Sequence, residues 1–191
     1  LHQCACDPGF MIGGIVQDFQ SNYRIGNGPF FVTEGDEYDT AFFDKAAKFL
    51  HYQPEVAVIT SVEFDHADIF ADLESIKQMF RRFIALLPPE GLLIVNGDDP
   101  VVCELATEAP CPVQRYGFSA EHEWSIEAIS TRAGQTHFSL KHDGDTFASF
   151  SINQPGRYNC LNATAVIAIL NHLGLPPAPI QRGLARFSGI K

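Results

Sequence analysis

The sequence predicts an α/β fold: a mostly parallel sheet flanked by helices on both faces, with a small antiparallel β meander appended. Three observations support this. Short apolar runs alternate with stretches of helical periodicity between residues 30 and 116. Acidic clusters directly follow two of these runs, where ligands bind in open α/β sheets. After Phe118 the pattern changes to alternation of period two broken by glycine turns, which is typical of hairpins.

The parallel part is predicted element by element. Residues 30–33 form a short strand, and Asp39 or Thr40 caps a helix that runs to Leu50. The apolar run 56–60 is the next strand. A helix over 73–87 follows, with apolar residues spaced by three or four, and the two prolines 88–89 end it. The remaining elements are a strand over 92–95, a helix over 100–107 and a strand over 113–116.

The second half is predicted as a hairpin region of about residues 119–152 followed by two helices. Its strands cover 124–129, 136–140 and 147–152, with turns at Gly134 and at 143–145. Helical periodicity returns over 159–173 and ends at Gly174. A last short helix covers 177–187.

Composition limits the possible partners. The 191 residues suffice for one sizeable domain, and the net charge of −10 argues against a general nucleic-acid partner. No apolar run reaches the roughly 18 residues of a membrane span, and no secretory signal opens the sequence. The five cysteines are scattered, which predicts reduced thiols in a cytoplasmic protein.

Carboxylates and one histidine follow two predicted strands. The acidic cluster 34–39 begins with Glu34, and the cluster 63–68 contains His66. Because parallel strands end at one rim, we expect Glu34 and His66 to share a divalent cation. Magnesium prefers oxygen ligands and keeps waters and substrate phosphates, so His66 also suits a second ion or an oriented water. The alternative is a solvated acidic loop, and not every carboxylate beside His66 can be a ligand.

Two amides begin the predicted helix after residue 155. Asn159 and Asn162 are three residues apart and therefore share a helix face. A side-chain amide offers a donor and an acceptor, which matches the edge of an adenine ring. The alternative is that Asn159 only caps the helix. The sequence 98–100 indicates a turn and a helix start, with Pro100 in the first helical position.

Five motifs in order resemble the central domain of the Mur ligase family of peptidoglycan synthesis and recycling. They match the family's acidic motif, E-x-D-H-x-D, N-x-D-D, G-x-H-N-x-x-N-A and F-x-G. They lie at 34–39, 63–68, 96–99, 156–163 and 187–189. Within the family, the runs 37–45 and 64–70 look most like the murein peptide ligase branch.

The resemblance implies an ATP- and Mg²⁺-dependent amide ligase of peptidoglycan recycling. It would join UDP-N-acetylmuramate to the murein tripeptide L-alanyl-γ-D-glutamyl-meso-diaminopimelate through an acyl phosphate. It would bind neither nucleic acid nor a membrane. By motif position, Glu34 and His66 would be catalytic magnesium ligands. The residues that would contact the nucleotide are Asn159, Asn162 and Tyr158. Those that would lie near the substrate are Glu37, Asp39 and Asp65.

Three differences from the family pattern stand out. The Gly-rich phosphate loop ending in G-K-T-T is absent, and neither Gly13-Gly14 nor 26–28 replaces it. We therefore expect residues 1–191 to be a central domain, inactive alone, whose phosphate loop precedes Leu1 and whose third domain follows. Tyr158 stands where the family usually has His. Phe80 occupies the position of the family's carbamylated lysine, so that role is not transferred.

Other functions are compatible with the same residues. UDP-N-acetylmuramate–L-alanine ligases share these motifs, and the acceptor pocket would lie in the third domain. The acidic and histidine clusters alone also fit a metal-dependent hydrolase, which would cleave phosphate or carboxylic esters once metal is added. A non-catalytic nucleotide-binding module would bind ATP and form no amide.

Overall fold

The computed structural model describes residues 1–36, 39–41, 44–64 and 72–191, with the backbone alone described at 39–41, 44 and 45. The chain divides into two compact units. The first unit comprises residues 1–34 and 124–191, and the second comprises residues 35–123. Among the described residues, no helix has both the length and the apolar character needed to cross a membrane.

The described strands are β1 (Gly9–Val16), β2 (Ser21–Arg24), β3 (Phe31–Thr33), β4 (Asp39–Ala41), β5 (Asp44–Ala47), β6 (Val56–Ile59), β7 (Leu92–Asn96), β8 (Val113–Gly117), β9 (Trp124–Arg132), β10 (Gln135–His142) and β11 (Asp145–Ile152). The described α-helices are α1 (Leu73–Ile84), α2 (Pro100–Ala106), α3 (Arg157–His172) and α4 (Pro177–Arg186). Short 3₁₀ helices cover His2–Cys4 and Lys48–His51.

The first unit contains a three-stranded sheet in the order β2-β1-β3 and an antiparallel meander. Strand β1 pairs parallel with β3 and antiparallel with β2. Strands β9, β10 and β11 form the predicted meander. Asp143 and Gly144 have φ values of 52° and 86° between β10 and β11, the backbone sign that a right-twisted two-residue hairpin turn requires. Helices α3 and α4 both pack on β11.

The second unit contains the parallel strands. Strand β7 pairs with β6 and with β8, in the register Val58↔Ile94 and Ile94↔Gln114. Residues Leu92 to Val95 of β7 are at most 1% exposed, as expected for a central parallel strand buried on both faces. Helix α1 contributes Phe83 to this core, where its ring lies 4.7 Å from that of Phe49. The predicted α/β class, with parallel strands, flanking helices and a meander, is confirmed.

Two local predictions were wrong or incomplete. The helix expected from residue 39 or 40 to Leu50 is instead the β4–β5 hairpin followed by the 3₁₀ helix Lys48–His51. A short run with apolar residues next to each other in sequence fits a short helix as well as short strands. In the structure the backbone hydrogen bonds of this region run between the strands β4 and β5. Strands β1 and β2 were not predicted, because Gly13 and Gly14 interrupt the apolar run of β1.

Candidate functional site

Glu34 lies directly after β3, at the carboxyl end predicted from the sequence. Its backbone N–H donates to the carbonyl of Met11 on the parallel neighbour β1, at 3.2 Å. Its side chain is exposed, and the backbone N–H of Gly13 donates to its Oε2 at 2.6 Å. Within the described part of the chain, this is the hydrogen bond that orients the Glu34 carboxylate. Among the described residues, the other lone pairs of this carboxylate have no hydrogen-bond donor and can bind a ligand.

This carboxylate has the chemistry of a magnesium ligand. It is an exposed hard oxygen donor held by a backbone amide, and metal-binding carboxylates are oriented by such outer hydrogen bonds. Over the described ranges, no group of three or more His, Cys, Asp or Glu side chains converges as a metal cluster. Glu34 therefore stays a predicted magnesium ligand, supported by its exposure and by its hydrogen bond from Gly13.

Several predicted partners of Glu34 cannot be placed beside it. His66, Asp65 and Glu37 lie outside the described residues. Asp39 is described only as backbone, in strand β4. The sharing of one cation by Glu34 and His66 therefore stays a prediction.

Another carboxylate of the acidic cluster has a structural partner. Asp36 Oδ2 accepts a hydrogen bond from Lys48 Nζ at 2.6 Å, and this ion pair raises the pKa of Lys48. The pair ties the start of the acidic cluster to the 3₁₀ helix Lys48–His51.

The adjacent glycines Gly13 and Gly14 of β1 have separate structural roles, neither of them that of a phosphate loop. Gly13 supplies the N–H to Glu34, and a Cβ on Gly13 would lie 3.0 Å from the Glu34 Oε2. A Cβ on Gly14 would lie 2.2 Å from Cγ2 of Ile190. Glycine inside a strand often marks the close approach of another backbone or side chain, which was the available sequence signal for Gly13.

Asn159 and Asn162 share one face of α3 and line the same cavity of about 830 Å³ in the first unit. Asn159 Nδ2 donates to the carbonyl of Pro155 at 2.8 Å, which fixes the direction of its amide. The described residues provide no hydrogen bond to the Asn162 side chain, so both its donor and its acceptor are available. The alternative that Asn159 caps the helix is wrong, because the N-cap is Gly156, with a φ of 99°.

The cavity is largely apolar with a few polar groups. Such a composition is typical of small-molecule sites, where apolar walls bury the ligand and a few polar atoms orient it. Besides the two asparagines, its apolar lining includes Phe19, Ile152, Ala163, Val166, Leu170, Ile180, Leu184, Phe187 and Ile190, and its polar lining includes His2, Asp18, Gln154 and Arg186. Tyr158 is 66% exposed and does not line this cavity, so its nucleotide contact stays a prediction.

The residues 96–99 form the predicted turn and helix start. Asp99 caps α2 by accepting from the N–H groups of Val101 and Val102, at 2.9 and 3.1 Å, and Pro100 opens the helix. Asp98 instead accepts from the backbone N–H of Phe118 at 2.8 Å. These carboxylates are used by the fold.

A buried histidine that no sequence motif singled out completes this turn. His122 is 9% exposed, and its Nε2 lies 3.0 Å from Asp98 Oδ1. Its Nδ1 is buried without a hydrogen-bond partner among the described residues. A carboxylate can only accept a hydrogen bond, so this contact uses a proton on His122 Nε2. The pair is separated by 24 positions in sequence, so no local spacing pointed to it.

Lys77 belongs to an ion-pair network on the outer faces of α1 and α2. Its Nζ lies 2.7 Å from both carboxylate oxygens of Glu104. Arg81 extends the network to Glu74 and Glu108, at 2.7 and 2.8 Å. The Lys77 ammonium is thereby held in ion pairs with Glu74 and Glu104.

The structure is an α/β domain that carries a largely apolar cavity and an oriented carboxylate at a strand end. Residues 17–170 match the Mur ligase middle domain, and the chain belongs to the Mur ligase family. The sequence resemblance is thereby confirmed.

The chain is similar to ligases of two kinds. It is 36% identical over 191 residues to the UDP-N-acetylmuramate–L-alanyl-γ-D-glutamyl-meso-2,6-diaminoheptandioate ligase of Haemophilus influenzae, covering 100% of this chain and 42% of that protein. It is 37% identical over 196 residues to the UDP-N-acetylmuramate–L-alanine ligase of Variovorax paradoxus, covering 100% of this chain and 39% of that protein. The chain thus spans about two fifths of the length of these curated relatives.

A solved structure supports the same relationship. The UDP-N-acetylmuramate:L-alanyl-γ-D-glutamyl-meso-diaminopimelate ligase from Neisseria meningitides superposes with a TM-score of 0.88 at 35% identity. The match covers 100% of this chain and 60% of that chain.

Proposed function

We propose that this chain is the central, ATP-binding domain of a ligase that joins UDP-N-acetylmuramate to L-alanyl-γ-D-glutamyl-meso-diaminopimelate in peptidoglycan recycling. The single observation that carries the proposal is the cavity lined by Asn159 and Asn162 in a chain of the Mur ligase family. The similarity of the whole chain to the Haemophilus influenzae ligase supports the choice of substrate.

The reaction would proceed in two transfers. The muramyl carboxylate attacks the γ-phosphorus of ATP, ADP leaves, and an acyl phosphate forms. The tripeptide amine then attacks the acyl carbon, and inorganic phosphate leaves as the amide forms. Bound magnesium would neutralise the charge that builds on the transferring phosphoryl group.

The chain's own residues would bind and orient the reactants. Glu34, held by the Gly13 amide, presents an oxygen ligand to the ion, and His66 is proposed as a further ligand. The amide of Asn162 offers the donor and acceptor that an adenine edge requires. Asn159 and the apolar walls would hold the ring plane and exclude water from it.

The direct test measures ADP formation by the full-length protein. We expect release of ADP only when UDP-N-acetylmuramate and the tripeptide are both present, with the amide product formed in equal amount. ADP formation without an acceptor would instead indicate a hydrolase. ATP binding with no amide product under any acceptor would indicate a nucleotide-binding module and overturn the proposal.

A variant pair tests the nucleotide site. Asn162→Ala removes the cavity amide to which the described residues make no hydrogen bond, and we expect the KM for ATP to rise about tenfold, the effect of roughly 1.4 kcal/mol of lost binding. Asn171→Ala, on the same helix but outside the cavity lining, is the matched control and should leave the KM unchanged. Equal values for both variants would contradict the assignment of the cavity to ATP.

L-alanine as acceptor is the second candidate, because the relative from Variovorax paradoxus has a comparable identity of 37%. The same assay distinguishes the two acceptors. Tripeptide should give the higher kcat/KM if the proposal is correct. A preference for L-alanine would assign the chain to the other ligase.

A further inference from the structure

Residues 187–191 pair with strand β1 through backbone hydrogen bonds. The N–H of Ile15 donates to the carbonyl of Lys191 and the N–H of Lys191 donates back to Ile15, both at 2.9 Å. The N–H of Gln17 donates to the carbonyl of Gly189 at 3.1 Å. The 187–191 segment therefore lies on β1 as an additional antiparallel stretch.

Side chains anchor the same segment at its beginning. Asp18 Oδ2 accepts from the backbone N–H of Ser188 at 3.2 Å. The carbonyl of Phe187 accepts from Asn153 Nδ2 at 3.4 Å and from Gln154 Nε2 at 3.1 Å. The segment is thus held from β1 on one side and from the end of β11 on the other.

Gly14 is the residue that permits this docking. The side chain of Ile190 lies where a Cβ on residue 14 would be, with Cγ2 2.2 Å from that position. Real Cβ atoms do not approach so closely, so a larger residue at position 14 must displace the side chain of Ile190, which belongs to the 187–191 segment. Gly14 does not itself line the cavity.

The docked segment also builds part of the cavity wall. Phe187, Gly189 and Ile190 line the same cavity as Asn159 and Asn162. A ligand can contact both the side-chain amides of Asn159 and Asn162 and the wall formed by the 187–191 segment. It makes the contacts to that wall only while the segment is docked on β1. By linkage, ligand binding and docking of the segment must then stabilise each other.

We propose that Gly14 is a positioning residue for the ligand cavity and acts through the 187–191 segment, whose docking on β1 is coupled to nucleotide binding. This inference rests on the proposed function, which places ATP in the cavity. It goes further by assigning a role in affinity to a strand residue that does not line the cavity.

The first experiment needs no variant. Hydrogen exchange of the full-length protein is measured with and without the non-hydrolysable analogue AMP-PNP and Mg²⁺. The amides of Ile15, Gln17 and Lys191 should exchange about fivefold or more slowly with the analogue bound. The remote hairpin around Gly144 should not change. Binding of the analogue without added protection at these amides would overturn the coupling, whereas absence of binding would instead overturn the proposed function.

The second experiment uses a rescue. Gly14→Ala should speed exchange in the 187–191 segment and raise the KM for ATP about fivefold or more. Adding Ile190→Ala removes the atom that the new Cβ meets, so the double variant should recover the slow exchange and part of the affinity. A Gly14→Ala protein with an open segment and an unchanged KM would contradict the proposal. If Gly14→Ala caused only a structural defect, the Tm of the variant would fall, and the KM for ATP would not change independently of kcat.

Discussion

The backbone N–H of Gly13 in β1 donates to Oε2 of Glu34 across 2.6 Å, joining β1 to the residue that follows its parallel neighbour β3, 21 positions along the chain. The bond fixes where an otherwise exposed carboxylate points. Hydrogen bonds from a backbone amide to an ionised acceptor are stronger than neutral ones and hold a defined geometry. The position of Glu34 is therefore set by β1 as well as by its own strand end.

Gly13→Ala tests this orienting contact. The new Cβ would lie 3.0 Å from Glu34 Oε2 and push the carboxylate from its place. We expect kcat of the full-length ligase to fall about 10- to 100-fold, the usual cost of losing an outer contact to a metal ligand, with a higher Mg²⁺ requirement. Gly35→Ala is the control, since among the described residues its Cβ would meet Phe49 alone, at an ordinary 3.7 Å. Equal activity in the two variants would argue against orientation by Gly13.

Glu34→Gln removes the negative charge but keeps an oxygen that can accept from Gly13. If the carboxylate is a magnesium ligand, turnover should be lost while the fold is retained. Because the side chain is exposed, we expect the free energy of unfolding to change by no more than about 0.5 kcal/mol. Steady-state ADP formation and urea unfolding measure the two effects. Activity near that of the unmodified protein would exclude Glu34 as a ligand.

Elements with a strong local pattern were predicted well. The continuous apolar run 92–95 is the core of the central strand β7, and Asp99-Pro100 marks the start of α2. The asparagines of α3 were predicted to share a face because a helix fixes that geometry at a spacing of three.

Features that depend on distant contacts could not be predicted. In β1, Gly13 leaves space for the Glu34 side chain and Gly14 leaves space for the Ile190 side chain. Both of these neighbours are distant in sequence. His122 is buried because Asp98 meets it across 24 positions. In both cases a tertiary contact determines which residue is required, and the local sequence pattern does not show that contact.

Gly97 is predicted to be essential for the stability of the turn after β7. A Cβ there would lie within 2.5 to 2.7 Å of three atoms of the His122 ring, which is buried and cannot move aside freely. Gly97→Ala should therefore lower the free energy of unfolding by about 1–3 kcal/mol, as overpacking does in other cores. Urea denaturation monitored by Trp124 fluorescence gives the value.

The matched control for that substitution is Gly183→Ala in α4. Its Cβ would meet Gln3 at 3.5 Å and lies in a helix, so we expect a gain of about 0.5–1 kcal/mol. Destabilisation by both alanines to the same degree would mean that the His122 contact is not the cause. Asp98→Ala is a second check, because it leaves His122 Nε2 without its partner and should cost about 1–3 kcal/mol.

Asp7 links the start of β1 to the loop after β2. Its carboxylate accepts from the Arg24 guanidinium, and its Oδ2 accepts from the backbone N–H and the Nδ2 of Asn27, both at 2.9 Å. The Arg24 side chain is the largest cause of a pKa for Asp7 well below its usual range, and the Asn27 hydrogen bonds add to it. Gly28 allows this approach, since a Cβ there would lie 1.7 Å from the Cys6 carbonyl oxygen.

The lowered pKa of Asp7 predicts a specific acid sensitivity. Because the pKa of Asp7 is lower in the folded chain than in the unfolded chain, the stabilisation is fully present above about pH 4 and is lost as the pH falls through the lowered value. Asp7→Asn should therefore lower the Tm at pH 7 and flatten the decrease in Tm below pH 4. In an Arg24→Met background, which removes the main partner, the same substitution should have a much smaller effect. Thermal unfolding measured from pH 7 to pH 2.5 for the four proteins gives the comparison. Parallel Tm curves for the unmodified protein and Asp7→Asn would show that the Asp7–Arg24 contact does not stabilise the fold.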